Sequence, residues 1–233
     1  MSKIILIETS TSLCSVALAE GGAVTAYRES SAPKAHASLT AVFVQEVLQE
    51  RGLKLSDCDA VCVSKGPGSY TGLRVGVSTA KGLCFGSGLP LIAVGTLDTL
   101  VAQANETGTD LTLPHKDIKH IIPMIDARRM EVYSAVFENG IQITETSPVI
   151  VDENSFAEYL EQGQCLFIGD GAGKCADIIK HPNAHFCQCN PKAYAMLSPA
   201  MDALKEKRFE DVAYFEPFYL KEFVATVSKK KLF

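Results

Sequence analysis

The sequence lacks the features of a membrane or exported protein. No apolar run approaches the roughly 18 residues that a membrane-spanning helix needs, although 47% of the 233 residues are hydrophobic. Met1-Ser2-Lys3 leads directly into an apolar segment, without the apolar region and small-residue cleavage site of a signal peptide. We therefore expect a cytoplasmic protein without membrane contact. Its core is large enough for one large domain or two small lobes.

Positive charge is scarce as well. The chain has 22 lysine and arginine residues against 27 aspartate and glutamate residues, which gives a formal net charge of -5. A protein that binds nucleic acid by itself usually has a basic face, because its cations neutralise phosphates. The dense basic run here is Lys229-Lys230-Lys231, a pattern typical of a solvated tail. We expect any contact with RNA to be indirect, through a partner that supplies the positive charge.

Regular cysteine spacing is also missing. Five of the eight cysteines lie inside apolar runs, where free cysteine behaves as a small hydrophobe: Cys14, Cys58, Cys62, Cys84 and Cys165. A reducing compartment disfavours disulfides, so we predict buried thiols at these five positions.

A mixed His/Cys array near the C-terminus has metal-like spacing. His181, His185, Cys187 and Cys189 read H-x3-H-x-C-x-C. The array lacks the C-x2-C geometry of common zinc sites. We predict no metal here and keep metal binding at the array as the alternative.

Hydrolase signals are absent too. No G-x-S-x-G elbow occurs, which argues against Ser10, Ser12 or Ser69 as a nucleophile. His36 lies at the start of a predicted helix, where an ordinary polar residue is a commoner explanation than a catalytic base.

The first hundred residues predict a mixed sheet. Three apolar segments are joined by short turns, one of them the hairpin signal Gly21-Gly22. A helix with a 3.6-residue apolar period follows, and Gly52 closes it. The predicted elements are strands 4–8, 13–19 and 23–29, helix 36–51, strand 59–64, helix 71–85, strand 89–94 and helix 96–104. This order predicts antiparallel strands followed by parallel crossover units, with helices packed on the sheet.

The same order partly repeats after a polar junction at 103–119. The predicted elements are strands 121–126, 132–137 and 141–151, helix 155–161, strand 165–168, a loop and helix at 171–180, and helix 194–207. Asn139-Gly140 is a strong hairpin turn between the second and third of these strands. A duplicated unit of this order is typical of the actin, sugar kinase and Hsp70 (ASKHA) architecture. We predict an α/β protein with two ASKHA-like lobes, residues 1–104 and 105–233.

Residues 66–76 form the most informative motif, GPGSYTGLRVG. Gly66-Pro67-Gly68 predicts a tight turn, and Ser69 or Thr71 would cap the helix that follows. Free N–H groups at such a helix start can hold an anion, but a structural turn with a capped helix is the plainer interpretation. Gly72, Gly76 and Ala80 recur every four residues, which permits close packing either inside the chain or on a partner's helix.

This motif closely resembles GPGSFTGLR of the TsaB (YeaZ) family. Further stretches are similar to that family's segments in the same order: IILIETSTSLCSVAL at 4–18, MIDARRMEVYSAVF at 124–137, FIGDGAGK at 167–174 and EPFYLKEF at 216–223. The resemblance extends over nearly the whole chain.

The resemblance implies a two-lobed, non-catalytic subunit. Family members pair with a catalytic paralogue, TsaD, and work with the ATPase TsaE. TsaD transfers threonylcarbamoyl to N6 of the adenosine 3′ to the tRNA anticodon. Alone, the family's proteins homodimerise through first-lobe helices that also dock TsaD. We expect contacts there from first-lobe helix residues: Leu39, Phe43, Leu73, Arg74, Gly76 and Val77.

Three departures from the related sequences bear on function. The paralogue's metal-binding histidines, four residues apart on a helix, correspond to Thr96 and Leu100, and leucine cannot ligate a metal. The family's first strand usually ends in aspartate, whereas Glu8 stands here, which weakens any metal or nucleotide role for it. Lys221 replaces a family arginine and loses its bidentate fork.

We therefore predict no catalytic residue, no metal and no firmly bound cofactor. ATP or ADP at the junction with the partner stays open. If the chain were instead an independent phosphotransferase, two turns would face the phosphates, with residues Ser10, Thr11, Gly169, Asp170 and Gly171.

Overall fold

The computed structural model describes residues 1–106 and 117–221, which build two mixed sheets of the same topology. The first sheet has the strand order β3-β2-β1-β4-β5. Its strands are β1 (Lys3–Glu8), β2 (Cys14–Glu20), β3 (Ala23–Ser30), β4 (Ala60–Gly66) and β5 (Leu91–Gly95). β1, β2 and β3 pair antiparallel, while β4 joins β1 and β5 in parallel. Gly21 and Gly22 close the β2–β3 hairpin at φ values of 60° and 88°, which confirms that turn.

The second sheet repeats this arrangement along the path β10-β7-β6-β11-β12. Its strands are β6 (Ile118–Asp126), β7 (Glu131–Ser134), β8 (Phe137–Glu138), β9 (Ile141–Gln142), β10 (Ser147–Ile150), β11 (Gln164–Gly169) and β12 (Ala184–Gln188). β10, β7 and β6 pair antiparallel, and β6, β11 and β12 pair in parallel. The repeated order is that of a duplicated ASKHA fold, as predicted.

Two of the predicted strands in this half are each divided in two. Strand 132–137 breaks because the Val136 amide donates to Thr144 Oγ1 at 2.8 Å instead of to a neighbouring strand. The resulting β8–β9 hairpin turns at Asn139 and Gly140, with φ values of 52° and 77°, as predicted. Strand 141–151 is divided between β9 and β10, which pair with different neighbours.

In the described part of the chain, six helices cover the sheets: α1 (Ala35–Glu50), α2 (Tyr70–Ser87), α3 (Thr96–Asn105), α4 (Ala157–Leu160), α5 (Ala172–Cys175) and α6 (Leu197–Lys205). The predicted helices 171–180 and 194–207 are shorter than expected, and a 3₁₀ turn, Ala193–Met196, precedes α6. α1 and α2 pack on one face of the first sheet, with Val47 and Val77 in the same cluster as Ile5 and Val63.

Each lobe contributes a helical segment that packs on the sheet of the other lobe, so the helices between the two sheets are exchanged. α3 follows the first sheet in the chain, but Leu97, Leu100 and Val101 pack with Ile168 of the second sheet. Conversely, Ala193–Met196 and α6 follow the second sheet and pack on Ile4, Leu6 and Ile92 of the first. The predicted lobe boundary between residues 104 and 105 separates the two sheets along the chain. The helical segments α3 and 193–205, however, each pack on the sheet of the other lobe.

Gln103 joins the exchanged segments. Its fully buried side chain donates from Nε2 to Asn190 O at 3.1 Å and accepts at Oε1 from the Lys192 amide at 3.0 Å. Residues 107–116 of the predicted junction and the Lys229-Lys230-Lys231 run lie outside the described residues. Within the described ranges, none of the helices combines the length and apolar character that a membrane span requires.

Candidate functional site

A cleft of about 630 Å³ opens between the lobes, at the carboxyl ends of β1 and β6. The turn after β1 and the loop leading into α2 form its first-lobe side. Asp126, Arg128, Tyr133 and Asp170 form the opposite side. A C-terminal segment, 218–221, closes one edge. The cleft thus gathers groups from both lobes.

The turn after β1 is anchored by a buried carboxyl group. Glu8 is fully buried, and its Oε1 accepts a hydrogen bond from the Ser10 amide at 2.6 Å. Burial raises the pKa of this carboxyl to about 7, and hydrogen bonds from Ser10 and Ser64 only partly offset that rise. Glu8 Oε2 has no hydrogen-bond partner within the described part of the chain. Glu8 therefore lies beneath the cleft and does not present its charge to it.

The glycines of the GPGSYTGLRVG motif let α2 lie directly against this turn. A Cβ at Gly68 would come within 2.4 Å of Ser10 O, and one at Gly72 within 2.1 Å of Thr9 O. A Cβ at Gly76 would come within 2.2 Å of Thr9 Oγ1. Internal packing therefore explains the small residues at 72 and 76, which resolves the two alternatives left open for them.

The start of α2 is capped as the motif predicts. Ser69 Oγ accepts a hydrogen bond from the Gly72 amide at 3.3 Å. The Ser69 amide itself donates to Ser10 O at 2.6 Å. The cap and the turn after β1 are therefore one hydrogen-bonded unit.

The second-lobe side is a turn held by its own ion pair. Asp126 Oδ1 accepts from Lys174 Nζ at 2.5 Å and from the Arg128 amide at 2.8 Å. Asp170 Oδ1 accepts from the Asp126 amide at 2.9 Å, and burial raises the pKa of Asp170 to about 6. Arg128 and Arg129 both adopt positive φ values, of 69° and 48°. This turn presents Arg128 at the cleft and keeps Lys174 bound to Asp126.

The C-terminal segment ties the lobes together. Phe218 donates its amide to Lys65 O at 2.7 Å, and the Tyr219 ring lies 5.0 Å from the Tyr70 ring. Lys221 Nζ forms an ion pair with Glu131 of the second lobe. Lysine at 221, in place of the family's arginine, thus still makes a bond across the cleft.

The predicted phosphate-facing residues divide into two groups. Ser10, Thr11 and Asp170 line the same cleft. Gly169 and Gly171 instead pack against β6 and β7, since a Cβ there would lie 2.2 Å from Met124 O and 2.9 Å from Val132 Cγ1. Asp126, Arg128, Tyr133 and Lys174 were not named from the sequence, and the MIDARR stretch was the available signal for the first two.

Most of the predicted docking residues are wrong as surface contacts. Leu73, Val77 and Phe43 are buried, the first fully and the others at 3% and 8% exposure, and Gly76 is buried beneath Thr9. The apolar period of a helix marks the face that packs on its own sheet. Arg74 is exposed and Leu39 is partly exposed, so they stay candidates.

The cysteine predictions have clear outcomes. Cys14, Cys58, Cys62, Cys84 and Cys165 are buried free thiols, as predicted. Among the described residues, no group of three or more His, Cys, Asp or Glu side chains could hold a metal ion, so the His181–Cys189 array forms no such cluster.

The structure also shows where the remaining candidates Thr96, Leu100 and His36 lie. Thr96 and Leu100 are fully buried, with Thr96 Oγ1 bonded to Ser64 Oγ at 3.1 Å. His36 lines the cleft, and its Nε2 has no hydrogen-bond partner in the described ranges.

Fold and cleft together define a two-lobed ASKHA-type protein. A family model described as "TsaD: tRNA N6-adenosine threonylcarbamoyltransferase" matches residues 24–228. Escherichia coli "tRNA threonylcarbamoyladenosine biosynthesis protein TsaB" is 33% identical over 232 residues, covering 96% of each chain. A solved Pseudomonas aeruginosa structure titled YeaZ superposes with a TM-score of 0.78 at 28% identity, covering 94% of this chain and all of that one. The chain belongs to the TsaB (YeaZ) family.

A second set of relatives matches a shorter region. The Paracoccus denitrificans protein named tRNA N6-adenosine threonylcarbamoyltransferase is 47% identical over 66 residues, which are 28% of this chain and 18% of that protein. The pairwise similarity to this transferase is therefore local, whereas the pairwise similarity to the Escherichia coli TsaB protein and the match to the TsaD family model both span most of the chain.

Two glycines on α2 should respond oppositely to the same substitution. Gly76→Ala places a methyl group 2.2 Å from Thr9 Oγ1, and overpacking of this kind costs about 1–3 kcal/mol. Gly82→Ala meets nothing within 4 Å, and alanine in an open helix position gains up to about 1 kcal/mol over glycine. Urea denaturation of both variants measures the two changes. Destabilisation of equal size at both sites would contradict the packing of α2 on the turn.

Glu8 should make stability depend on pH. The folded chain raises the pKa of its carboxyl from 4.5 to about 7, so the folded state binds the proton more tightly than the unfolded state. Stability therefore falls as the pH rises from about 4.5 through about 7, by roughly 3 kcal/mol in total.

The control for this prediction is Glu8→Gln, which keeps an acceptor for the Ser10 amide and does not titrate. Urea denaturation at about pH 5 and about pH 8 compares the two proteins. We expect wild type to lose more stability than the variant over this interval. If the stability of both proteins changed equally with pH, Glu8 would not titrate in this interval.

Proposed function

We propose that this chain is the non-catalytic subunit that supports a TsaD-type enzyme in tRNA modification. Membership of the TsaB family assigns the chain to tRNA threonylcarbamoyladenosine biosynthesis. In the proposed reaction, the TsaD-type partner transfers threonylcarbamoyl to N6 of the adenosine 3′ to the anticodon. This chain, together with a TsaE-type ATPase, activates that partner and carries none of the chemistry.

The observation that carries this proposal is the burial of Thr96 and Leu100. The resemblance places the partner's metal-binding histidines at these two positions. Here both side chains are fully buried, one bonded to Ser64 and the other packed in the core between α3 and the second sheet. Leucine has no metal-binding atom and the Thr96 hydroxyl is bonded to Ser64, which supports the proposal that the metal-dependent step belongs to the partner.

The outward face of α2 is the surface we propose for docking. Its exposed positions are Thr71, Arg74, Ser78, Gly82, Phe85 and Gly86, which recur every three or four residues and so lie on one face. Phe85 is 86% exposed, and Gly82 leaves open space beside the backbone. Small residues beside an exposed aromatic side chain let another helix approach closely. The same face would serve the homodimer when the partner is absent.

The net negative charge of the chain supports an indirect role in tRNA binding. The chain carries a net charge of -5, which disfavours independent binding to phosphates. Any nucleotide at this subunit would enter the cleft lined by Ser10, Thr11 and Asp170. The second candidate function is that of an independent ATP-dependent phosphotransferase, which would use the same residues to face the phosphates.

Reconstitution tests the two functions against each other. Threonine, bicarbonate, ATP, the adenylate-forming enzyme, TsaD and TsaE are combined with tRNA, with and without this chain. We expect modified tRNA only when the chain is present, and no transfer by the chain without TsaD. ATP turnover by the isolated chain, with no effect on tRNA modification, would instead establish the phosphotransferase.

The docking face is tested with two matched substitutions. Phe85→Glu should weaken binding to the TsaD-type partner and self-association by roughly tenfold or more, because it puts a charge into the apolar contact. Ile150→Glu, at a residue that is 76% exposed on the second sheet, should leave both unchanged. Calorimetric titration and sedimentation measure the two equilibria, and thermal unfolding checks the fold. Wild-type affinity in Phe85→Glu would place docking elsewhere.

A further inference from the structure

The C-terminal segment that reaches the cleft is fixed firmly in its first part. Glu210 donates its amide to Leu91 O at 2.8 Å, at the edge of the first sheet. Val212 and Phe215 pack against the core cluster that α1 and α2 share with this sheet. Lys81 of α2 donates from Nζ to Phe215 O at 2.9 Å. The chain is therefore anchored on the first lobe as far as Phe215.

Residues 218–221, which close one edge of the cleft, are buried much less. Within the described ranges, none of their side chains belongs to a core cluster. Phe218 and Tyr219 remain 45% and 39% exposed. Pro217 precedes them and has no amide hydrogen to donate. The way in which the chain is held thus changes between Phe215 and Phe218.

The attachment of residues 218–221 to the second lobe is an ion pair between Lys221 and Glu131. Its side chains are 43% and 19% exposed, and exposed pairs contribute little because water and salt screen them. One backbone hydrogen bond and one ring contact, both described above, hold these residues to the first lobe. A segment with so few buried contacts opens at a low cost in free energy.

The closed position of Phe218 is nevertheless closely defined. A Cβ at Gly66 would lie 2.9 Å from Phe218 O, so the absence of a side chain at 66 lets the two backbones meet at the end of β4. Gly66 also has a φ value of 106°, which favours glycine. Residues 218–221 therefore combine one well-defined closed position with weak attachment.

Phe218 also separates two cavities. Beside the interlobe cleft lies a second cavity of about 440 Å³, between the carboxyl ends of β4 and β5 and the chain that joins β9 to β10. Pro67 and Phe218 line both this cavity and the cleft. Lys65 and Asp98 of the first lobe and Glu145 of the second lobe add charged groups to the second cavity. Movement of Phe218 away from the end of β4 would join the two spaces.

We propose that residues 218–221 are a hinged lid over the interlobe cleft. The lid turns about Glu216 and Pro217, where the anchored part of the segment ends. When Lys221 releases Glu131, the lid leaves the edge of the cleft and the second cavity becomes continuous with it. The lid thereby controls the access of small molecules to both spaces. Salt shifts the balance toward the open state because it screens the ion pair.

A tryptophan on the lid tests this proposal, because the chain contains no other tryptophan. Tyr219→Trp places one indole there, and quenching by acrylamide, which is uncharged, measures its exposure in the folded full chain. We expect Lys221→Glu in this reporter to raise the quenching constant roughly twofold, because repulsion from Glu131 replaces attraction. Glu131→Lys should do the same, and the two reversals together should restore the original value.

Lys180→Glu is the matched control, since it reverses a charge in an exposed ion pair with Asp177 and neither residue lines the cleft. It should leave quenching unchanged. Sodium chloride at about 1 M should raise quenching in the reporter but not in its Lys221→Glu variant. Thermal unfolding checks that each variant is folded. The lid is refuted if both single reversals leave quenching unchanged, if the double reversal restores nothing, or if Lys180→Glu gives an equal rise.

Amide hydrogen exchange in the chain without the tryptophan locates the hinge independently. The Phe218 amide donates to Lys65 O at 2.7 Å, and the Phe215 amide donates to Asp211 O at 2.8 Å. In Lys221→Glu, NMR should show faster exchange at Phe218 and unchanged exchange at Phe215. Faster exchange at both would show that the whole segment detaches without a hinge between them. Equal exchange at Phe218 in wild type and variant would show that release of the ion pair does not open a lid.

Discussion

The distance between helix α2 and the turn after β1 is the constraint on which the cleft depends. Gly68, Gly72 and Gly76 let the loop and helix approach Thr9 and Ser10 so closely that no Cβ fits between them. That contact fixes the cleft floor, because the Ser69 amide and the Ser10 carbonyl are bonded to each other. It also fixes which side of α2 faces outward. One short motif thus sets the floor of the cleft and the surface proposed for docking.

The buried carboxyl of Glu8 shows how this cleft differs from a charged catalytic one. A carboxylate that serves a cation or a phosphate must be ionised and reachable. Glu8 is not reachable, since its side chain lies buried beneath the turn, and burial raises its pKa to about 7, so that it is only partly ionised at neutral pH. Asp126 is exposed, but Lys174 neutralises it. Glu8 and Asp126 are therefore engaged within the protein's own structure, in keeping with the role proposed above.

Local chemistry was predictable from the sequence, and long-range packing was not. Gly21-Gly22 and Asn139-Gly140 were identified as hairpin turns because positive φ is a local property. Ser69 was a predictable cap for the same reason. Leu73 and Val77 were predicted as docking contacts, but the apolar period that identifies them also marks them as buried. Nothing local indicates that Leu100 packs on the second sheet or that Lys174 pairs with Asp126, since those contacts join distant segments.

Because of the exchanged helices, the apolar faces of the two sheets become covered in a fixed order during synthesis. The first sheet is finished at Gly95, yet one of its faces stays bare until the segment 193–205 has been made. α3 is made next and must wait for β6 and β11 to cover its apolar side. A nascent chain that stops anywhere between these points therefore carries an open hydrophobic face. Each half on its own would lack the helical segment that the other half supplies to cover its sheet, so we expect the two lobes to fold as one cooperative unit.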